Sequence, residues 1–302
     1  MDYRSKIILI AGPTASGKSK IAIQLAKRIK GEIINADSMQ VYKEFKILTA
    51  RPIKKDEKQV KHHLYGFYSV KKNFSTGKWL KNCISTIKKI KKKRKIPIIV
   101  GGTGLYFKAL IDGLVKIPKI PIRLRNLIIK DQKKLGQKNF YKKLVKLDGL
   151  AGKNLSSKDV QRSIRAFEVK KYTKISLFKW FKQTRKNFED KDFYKIYVDI
   201  PKDILSERIK RRIEKMLKAG AFNEVDKFLK MKIKKNNNSN KIIGVREIQN
   251  YLQSENKDIN YLKELLLIKT RQYAKRQKTW SKKFMHDWRK VDYRNFNFSK
   301  KF

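Results

Sequence analysis

The chain has 302 residues, 40% of them hydrophobic, enough to build a real core in one large domain or two modest ones. It has no apolar run of about eighteen residues and a single cysteine, Cys83, which excludes a transmembrane helix, an intrachain disulfide framework and a multi-cysteine zinc site. Its 78 Lys and Arg against 26 Asp and Glu give a formal net charge of +52, which suits a polyanionic partner such as nucleic acid.

The first apolar run, residues 7–11, begins almost at once and no leader with a small-residue cleavage site precedes it, so the expected location is the cytoplasm. That run reads as a buried strand. Gly12-Pro13-Thr14-Ala15-Ser16-Gly17-Lys18-Ser19 follows and satisfies G-x-x-x-x-G-K-[ST], and an amphipathic helical pattern over 21–29 comes next. Strand, glycine-rich turn and helix aim backbone N–H groups and the positive end of a helix dipole at one point. Lys18 reaches an outer phosphate there, and Ser19 offers a hydroxyl to Mg²⁺. A bare glycine turn would leave Lys18 facing the positive dipole end without an anion. The motif predicts a di- or triphosphate ligand, with an ATP-using enzyme as the default, and does not say which bond is broken.

Residues 32–36 read as a second strand, and Asn35-Ala36-Asp37-Ser38-Met39-Gln40-Val41-Tyr42 carries Asp37 just past its end. An acid there is a magnesium ligand, a general base, or a plain helix N-cap. His62, His63 and Cys83 lack metal-ligand spacing. A helix is expected over 77–95 and a strand over 96–100. The strand runs into Gly101-Gly102-Thr103-Gly104-Leu105-Tyr106, either a second wall of the same site or a structural turn. From 118 to 190 strand runs vanish and charged helical patterns dominate, which predicts a helical insertion.

A further strand is expected over 194–200, then a helical stretch over 202–231 with Leu205, Ile209, Ile213, Met216 and Leu217 near helical spacing. Arg208, Arg211 and Arg212 lie on it. Arg208 and Arg212 share a face and offer either a bidentate clamp for a diphosphate or a solvated basic face. Residues 232–240, KIKKNNNSN, read as a loop or disordered linker; such lysine and asparagine usage is also what a genome-wide compositional bias produces. A long basic helix is expected over 262–280. Residues 269–302 hold twelve Lys or Arg against two Asp, interleaved with Tyr273, Trp280, Phe284, Trp288, Tyr293, Phe296, Phe298 and Phe302. That mixture serves unpaired bases, or it is a docking helix whose aromatics fill a core. No internal repeat is visible. The fold class expected is α/β: a P-loop NTPase-like parallel sheet core flanked by helices, with a helical insertion domain and basic C-terminal helices. The divisions are 1–117, 118–190 and 191–302.

Six motifs occur in one order: GPTASGKS from Gly12, NADSMQVY from Asn35, PIIVGGTGLYFKAL from Pro97, DVQRSIRAFEV from Asp159, RRIEKM from Arg211 and TRQYAKRQKTW from Thr270. Together they resemble the bacterial tRNA dimethylallyltransferases, the isopentenyl diphosphate transferases that modify tRNA, over nearly the whole chain. The resemblance implies that the phosphate loop holds dimethylallyl diphosphate. The prenyl group moves to the exocyclic N6 amine of the adenosine 3′-adjacent to the anticodon, and diphosphate leaves. It assigns catalytic roles to Lys18, to Arg212 on the diphosphate and to Asp37 as base, gives Thr103 a contact with the substrate nucleotide, and implies a flipped target base. The tRNA-contacting positions it implies are Asp37, Ser38, Met39 and Gln40; Gln161, Arg162, Ser163, Ile164 and Arg165; Lys241, Ile242, Ile243, Gly244, Val245 and Arg246; Lys275, Arg276, Gln277, Lys278, Thr279, Trp280, Ser281 and Lys282; and Arg125. The helical insertion would clasp the anticodon stem.

Partners implied are tRNA, dimethylallyl diphosphate and Mg²⁺ at Ser19, with no membrane and a monomeric protein. Two places depart from the family pattern: Leu48-Thr49-Ala50-Arg51 stands for a glycine-threonine-alanine-lysine run, and Thr173-Lys174 for threonine-glycine. Eukaryotic relatives often carry a C-terminal zinc finger, which one cysteine cannot build. The competing readings are a small-molecule P-loop kinase or nucleotidase, a prenyltransferase acting on free adenylate, and a non-catalytic, nucleotide-switched RNA-binding protein. The basic aromatic C-terminus and the arginine motifs outside the core favour the tRNA enzyme.

Overall fold

Strands buried on both faces must be apolar throughout, and the continuous Ile, Leu and Val runs meet that demand. The computed structural model describes residues 6–234 and 237–294; Phe296, Phe298 and Phe302 lie outside the described residues. In chain order come β1 (Ile7–Ala11), α1 (Lys18–Arg28), β2 (Gly31–Asn35), α2 (Lys54–Gln59), β3 (His62–His63), α3 (Thr76–Lys92), β4 (Ile96–Gly101) and α4 (Gly104–Asp112). Four helices follow, α5 (Ile122–Leu147), α6 (Gly149–Asn154), α7 (Val160–Thr173) and α8 (Leu177–Lys182). The chain then forms β5 (Phe193–Asp199), α9 (Lys202–Lys218), α10 (Ala221–Lys230), α11 (Val245–Gln253), α12 (Ile259–Phe284) and β6 (Arg289–Asp292). These fall into two compact units: Leu110–Asn187, and the residues on either side of it.

The larger unit is one six-stranded sheet in the order β3-β2-β4-β1-β5-β6, with every pairing parallel. Ile8, Ile10, Ile98, Val100, Ile196 and Val198 pack with Ile21, Leu25 and Ala26 of α1 in one buried cluster. Register sets Ala11 beside Gly101 and Tyr197, and Asn35 beside Val100. Loops 12–17, 36–40 and 102–103 therefore leave the sheet side by side at its carboxyl edge, where such sheets bind ligands. The unit Leu110–Asn187 is all helical, with Phe140, Leu144, Ala151, Ala166, Phe167 and Leu177 in its core. Gly136 (φ 70°) interrupts α5.

Three expectations need correction. The edge strands β3 and β6 have two and four residues and no buried position, so they carry no apolar run to read. The stretch 202–231 is two helices, because Gly220 turns left-handed (φ 102°) after α9. The asparagine-rich stretch is not a loose linker where it is described. Asn237 and Ser239 are buried, Asn237 donates its side-chain amide to the Val70 carbonyl (2.8 Å), and a short 3₁₀ turn, Asn238–Lys241, follows.

Candidate active site

The phosphate loop is shaped by its own backbone. Gly17 is left-handed (φ 91°), Ser16 N–H donates to the Pro13 carbonyl (3.2 Å), and α1 starts at Lys18. Lys18 Nζ donates to the Pro13 carbonyl (3.1 Å). Burial pushes its ammonium down from the usual lysine range to about 8; Asp37 opposes the shift and the Arg212 charge adds to it. Among the described residues the buried Ser16 Oγ has no hydrogen-bond partner. Two arginines of α9, one turn apart, grip this loop. Arg208 donates to the Ser16 carbonyl (3.1 Å) and lies over the Tyr293 ring at 4.4 Å. Arg212 donates to Thr14 Oγ1 (2.9 Å) and the Leu48 carbonyl (3.4 Å), and burial lowers its pKa. Arg211 points away and pairs with the exposed Glu207 (2.9 Å).

Asp37 does not cap a helix. The fully buried Asn35 side chain builds its turn, accepting from Asp37 N–H (2.8 Å) and donating to the Asp37 and Leu64 carbonyls (3.0 Å each). Trp79 Nε1 in turn donates to the Asn35 carbonyl (2.7 Å). Met39 N–H donates to Asp37 Oδ1 (2.9 Å), which fixes one carboxylate oxygen and leaves Oδ2 for other work. Burial raises the pKa of the Tyr65, Tyr106 and Tyr273 phenols, and Asp37 adds to each shift, so all three stay protonated.

The second glycine-rich turn belongs to the same edge. Thr103 Oγ1 accepts from Ser38 N–H (2.9 Å), tying it to the Asp37 loop. Its glycines admit α12 at close range: a Cβ on Gly102 would stand 2.1 Å from Gln277 Nε2, and one on Gly104 would stand 2.2 Å from the Trp280 ring. The turn therefore packs closely on α12, and Thr103 lies against the Asp37 loop.

A cavity of about 410 Å³ joins these parts. Thr14, Gly17, Lys18, Ser19, Asp37 and Arg212 line it together with an apolar set, Leu48, Ile209, Ile213, Met216, Ile243 and Leu266. Tyr273 and Arg276 also border a neighbouring cavity of about 240 Å³ lined by Ser38, Thr103, Phe107 and Trp280. Among the described residues no group of three or more His, Cys, Asp or Glu could hold a metal. Ser19 is exposed and supplies one hydroxyl, a donor set that fits a Mg²⁺ held mainly by phosphate oxygens and water. His63 Nε2 instead meets the buried Glu32 (2.7 Å), which also binds Lys95 (2.8 Å). Cys83 is buried with its thiol pKa pushed up.

The remaining expected contact residues fall into distinct places. Met39, Gln40, Lys241, Ile242 and Ile243 line the larger cavity. Gly244 (φ 103°) starts α11, Val245 is buried and Arg246 is exposed. On α12, Lys275, Arg276, Thr279 and Lys282 are exposed, Ser281 is buried and Lys278 donates to the Ile200 carbonyl. In the helical unit Gln161 and Arg162 are exposed, Ser163 is buried with Oγ on the Asp159 carbonyl (2.7 Å), and Ile164 packs on the core. Arg125 (3.5 Å) and Arg165 (2.6 Å) share the buried carboxylate of Glu168. Sequence reasoning missed Tyr65, Thr270 and Leu266, which line the cavity, and took Ile209, Ile213 and Met216 as a helix stripe only.

The IPP transferase family profile matches residues 40–284. The chain is 56% identical over 292 residues to a tRNA dimethylallyltransferase of Pelagibacter ubique, covering 97% of this chain and 93% of that protein. It is 39% identical over 293 residues to one of Rickettsia massiliae, covering 97% and 80%. Among solved structures it is similar to the tRNA isopentenylpyrophosphate transferase of Bacillus halodurans (TM-score 0.68, 30% identity, 97% and 92% covered). It is also similar to a eukaryotic dimethylallyltransferase acting on tRNA (TM-score 0.83, 27% identity, 95% and 74% covered).

Proposed function

We propose that this chain, which belongs to the IPP transferase family, moves a dimethylallyl group from dimethylallyl diphosphate to the N6 amine of the adenosine 3′-adjacent to the anticodon in tRNA, releasing diphosphate. Family membership sets aside the kinase and the non-catalytic RNA switch. One observation carries the reading: a single cavity combines a phosphate loop, Lys18 and Arg212 with an apolar lining and the carboxylate of Asp37. That lining suits a short hydrocarbon attached to a diphosphate.

Departure of diphosphate breaks the carbon–oxygen bond and builds negative charge on the leaving group. Loop amides, the Lys18 ammonium and the Arg212 guanidinium are arranged where that charge develops. Mg²⁺, held by Ser19 and phosphate oxygens, would neutralise part of it. The adenine amine is a poor nucleophile because its lone pair is delocalised into the ring. Asp37 takes the N6 proton as the new nitrogen–carbon bond forms, while the phenols of Tyr65 and Tyr273, their pKa values raised by desolvation and by Asp37, keep their protons. Thr103 would contact the flipped nucleotide. In the larger unit RNA would meet the exposed basic positions of α12 together with Lys241 and Arg246; in the helical unit Gln161, Arg162 and Arg125 are the candidate contacts. The protein acts as a cytoplasmic monomer.

The test supplies labelled dimethylallyl diphosphate, Mg²⁺ and unmodified tRNA, and label is expected in the RNA. Asp37→Ala should lower transfer about 10²–10⁴-fold while tRNA affinity stays within about twofold. Label absent from the RNA, with phosphate passing from ATP to a small acceptor, overturns the reading.

A further inference from the structure

Gln277 sits in the basic stretch of α12, where its residue type suggests a hydrogen-bonding contact with RNA. Its side chain is engaged elsewhere. Oε1 accepts from the Thr14 N–H of the phosphate loop at 2.8 Å, and Nε2 donates to the Gly102 carbonyl at 2.9 Å. The two backbone partners fix the amide's orientation: an N–H demands the oxygen and a C=O demands the nitrogen. The approach also needs a glycine, since a Cβ on Gly102 would stand 2.1 Å from Nε2. Thr14 is thus held from two helices, through its N–H by Gln277 of α12 and through its hydroxyl by Arg212 of α9 (2.9 Å).

We infer that Gln277 is a positioning residue of the diphosphate site, a strut whose side-chain amide sets the phosphate loop at a fixed distance from the 102–103 turn. The inference rests on the reading of this cavity as a prenyl diphosphate site. An anion site built from backbone amides works only if those amides are pre-aimed, because reorganising them at the moment of binding or reaction lowers their value. The phosphate loop borders the first cavity, and Gly102 and Gln277 border the second. A strut at this place tunes the grip on diphosphate without touching the transferred carbon or the RNA.

Two variants separate this role from an RNA contact. Gln277→Met keeps the length and removes both hydrogen bonds. Gln277→Glu keeps the acceptor toward Thr14 and sets an oxygen against the Gly102 carbonyl. Binding of inorganic diphosphate with Mg²⁺, in the absence of tRNA, is measured by calorimetry on the full chain, together with KM for each substrate. Both variants should weaken diphosphate binding and raise KM for dimethylallyl diphosphate by about tenfold, as loss of a partly buried hydrogen bond does, with KM for tRNA within about twofold. Unchanged diphosphate affinity with a raised KM for tRNA makes Gln277 an RNA contact and overturns the inference. Equal loss toward both substrates makes its role general packing and overturns it too. If Gln277→Met does not fold, the Glu variant decides. Wild-type protein that binds inorganic diphosphate yet prenylates no RNA would count against the proposed reaction and leave the strut measurement standing.

Discussion

Lys18 shows how one residue's environment becomes a measurable property. Burial pushes its ammonium down to about 8, and the facing Arg212 adds to that, while Asp37 works the other way. A bound diphosphate supplies the missing negative charge, so the complex holds the Lys18 proton more tightly than the free protein does. The sign follows: the Lys18 contribution to affinity is flat below about pH 8 and falls as pH rises above it, by up to about tenfold per unit, because the free protein has then lost a proton that the complex needs. Calorimetry at pH 8.5 in two buffers of different ionisation enthalpy should show proton uptake on binding dimethylallyl diphosphate, and Lys18→Met should abolish it. Heats independent of the buffer would contradict the argument. The place of Lys18 was legible in its motif, because a bare glycine turn gives a lysine there no anion; Asp37 and Arg212 were singled out by the family resemblance, since their residue types alone also fit an N-cap and a solvated basic face. Gln277 was legible only as a polar residue in a basic helix, since the Thr14 it holds lies 263 positions away in the chain.

Elements position the cavity wall, and Glu224 on α10 is the clearest case. Its Oε1 accepts from Lys46 N–H (2.6 Å) and Ile47 N–H (2.8 Å), and its Oε2 accepts from Leu48 N–H (2.8 Å). One carboxylate thereby fastens the turn that delivers Leu48 to the apolar lining. The departure from the family pattern at Leu48 is matched across the turn, since a Cβ on Gly244 would stand 2.6 Å from Leu48 Cδ2. Glu224→Gln leaves one oxygen to accept and points an amide at an N–H. It should lower stability by about 1–3 kcal/mol, as expected for hydrogen bonds to a charged acceptor, and raise KM for dimethylallyl diphosphate without changing KM for tRNA. Chemical denaturation and steady-state kinetics check the two halves, and an unaltered KM would detach Glu224 from the prenyl pocket. Strands β1, β2 and β4 were legible because burial on both faces leaves a largely apolar run, and β5 from its buried centre, Ile196-Tyr197-Val198. The edge strands were not, because half-exposed positions carry none. The break at Gly220 was hidden by apolar spacing that continues from Leu217 through Ala221, Val225 and Phe228, all buried. In the asparagine-rich stretch, composition gave no sign that the Asn237 amide would reach the Val70 carbonyl, 167 positions away.

At the scale of the whole molecule the dominant fact is charge. A net +52 over 302 residues is not confined to one place: residues 110–187 alone carry 22 Lys or Arg against five Asp or Glu, so the helical unit is itself a polycation. The few acids form mostly exposed pairs, such as Lys143 with Asp131 (2.7 Å), worth at most about 1 kcal/mol each. They cannot offset the self-repulsion of so many like charges. Two salt effects of opposite sign follow. Salt screens repulsion within the free protein, so its melting temperature should rise between 50 and 300 mM NaCl. Salt also removes the entropic gain of counterion release when RNA binds, so affinity for unmodified tRNA should fall about 10³–10⁵-fold between 50 and 200 mM if roughly six to ten phosphates are engaged. Dimethylallyl diphosphate, held by a few groups inside a cavity, should lose far less over the same range. A shallow salt slope for tRNA would mean that RNA is gripped at few points and that most of the lysines reflect composition rather than recognition. A melting temperature that falls with salt would mean that ion pairs outweigh repulsion in the folded protein. Measuring both on the same preparation separates charge that serves the fold from charge that serves the partner.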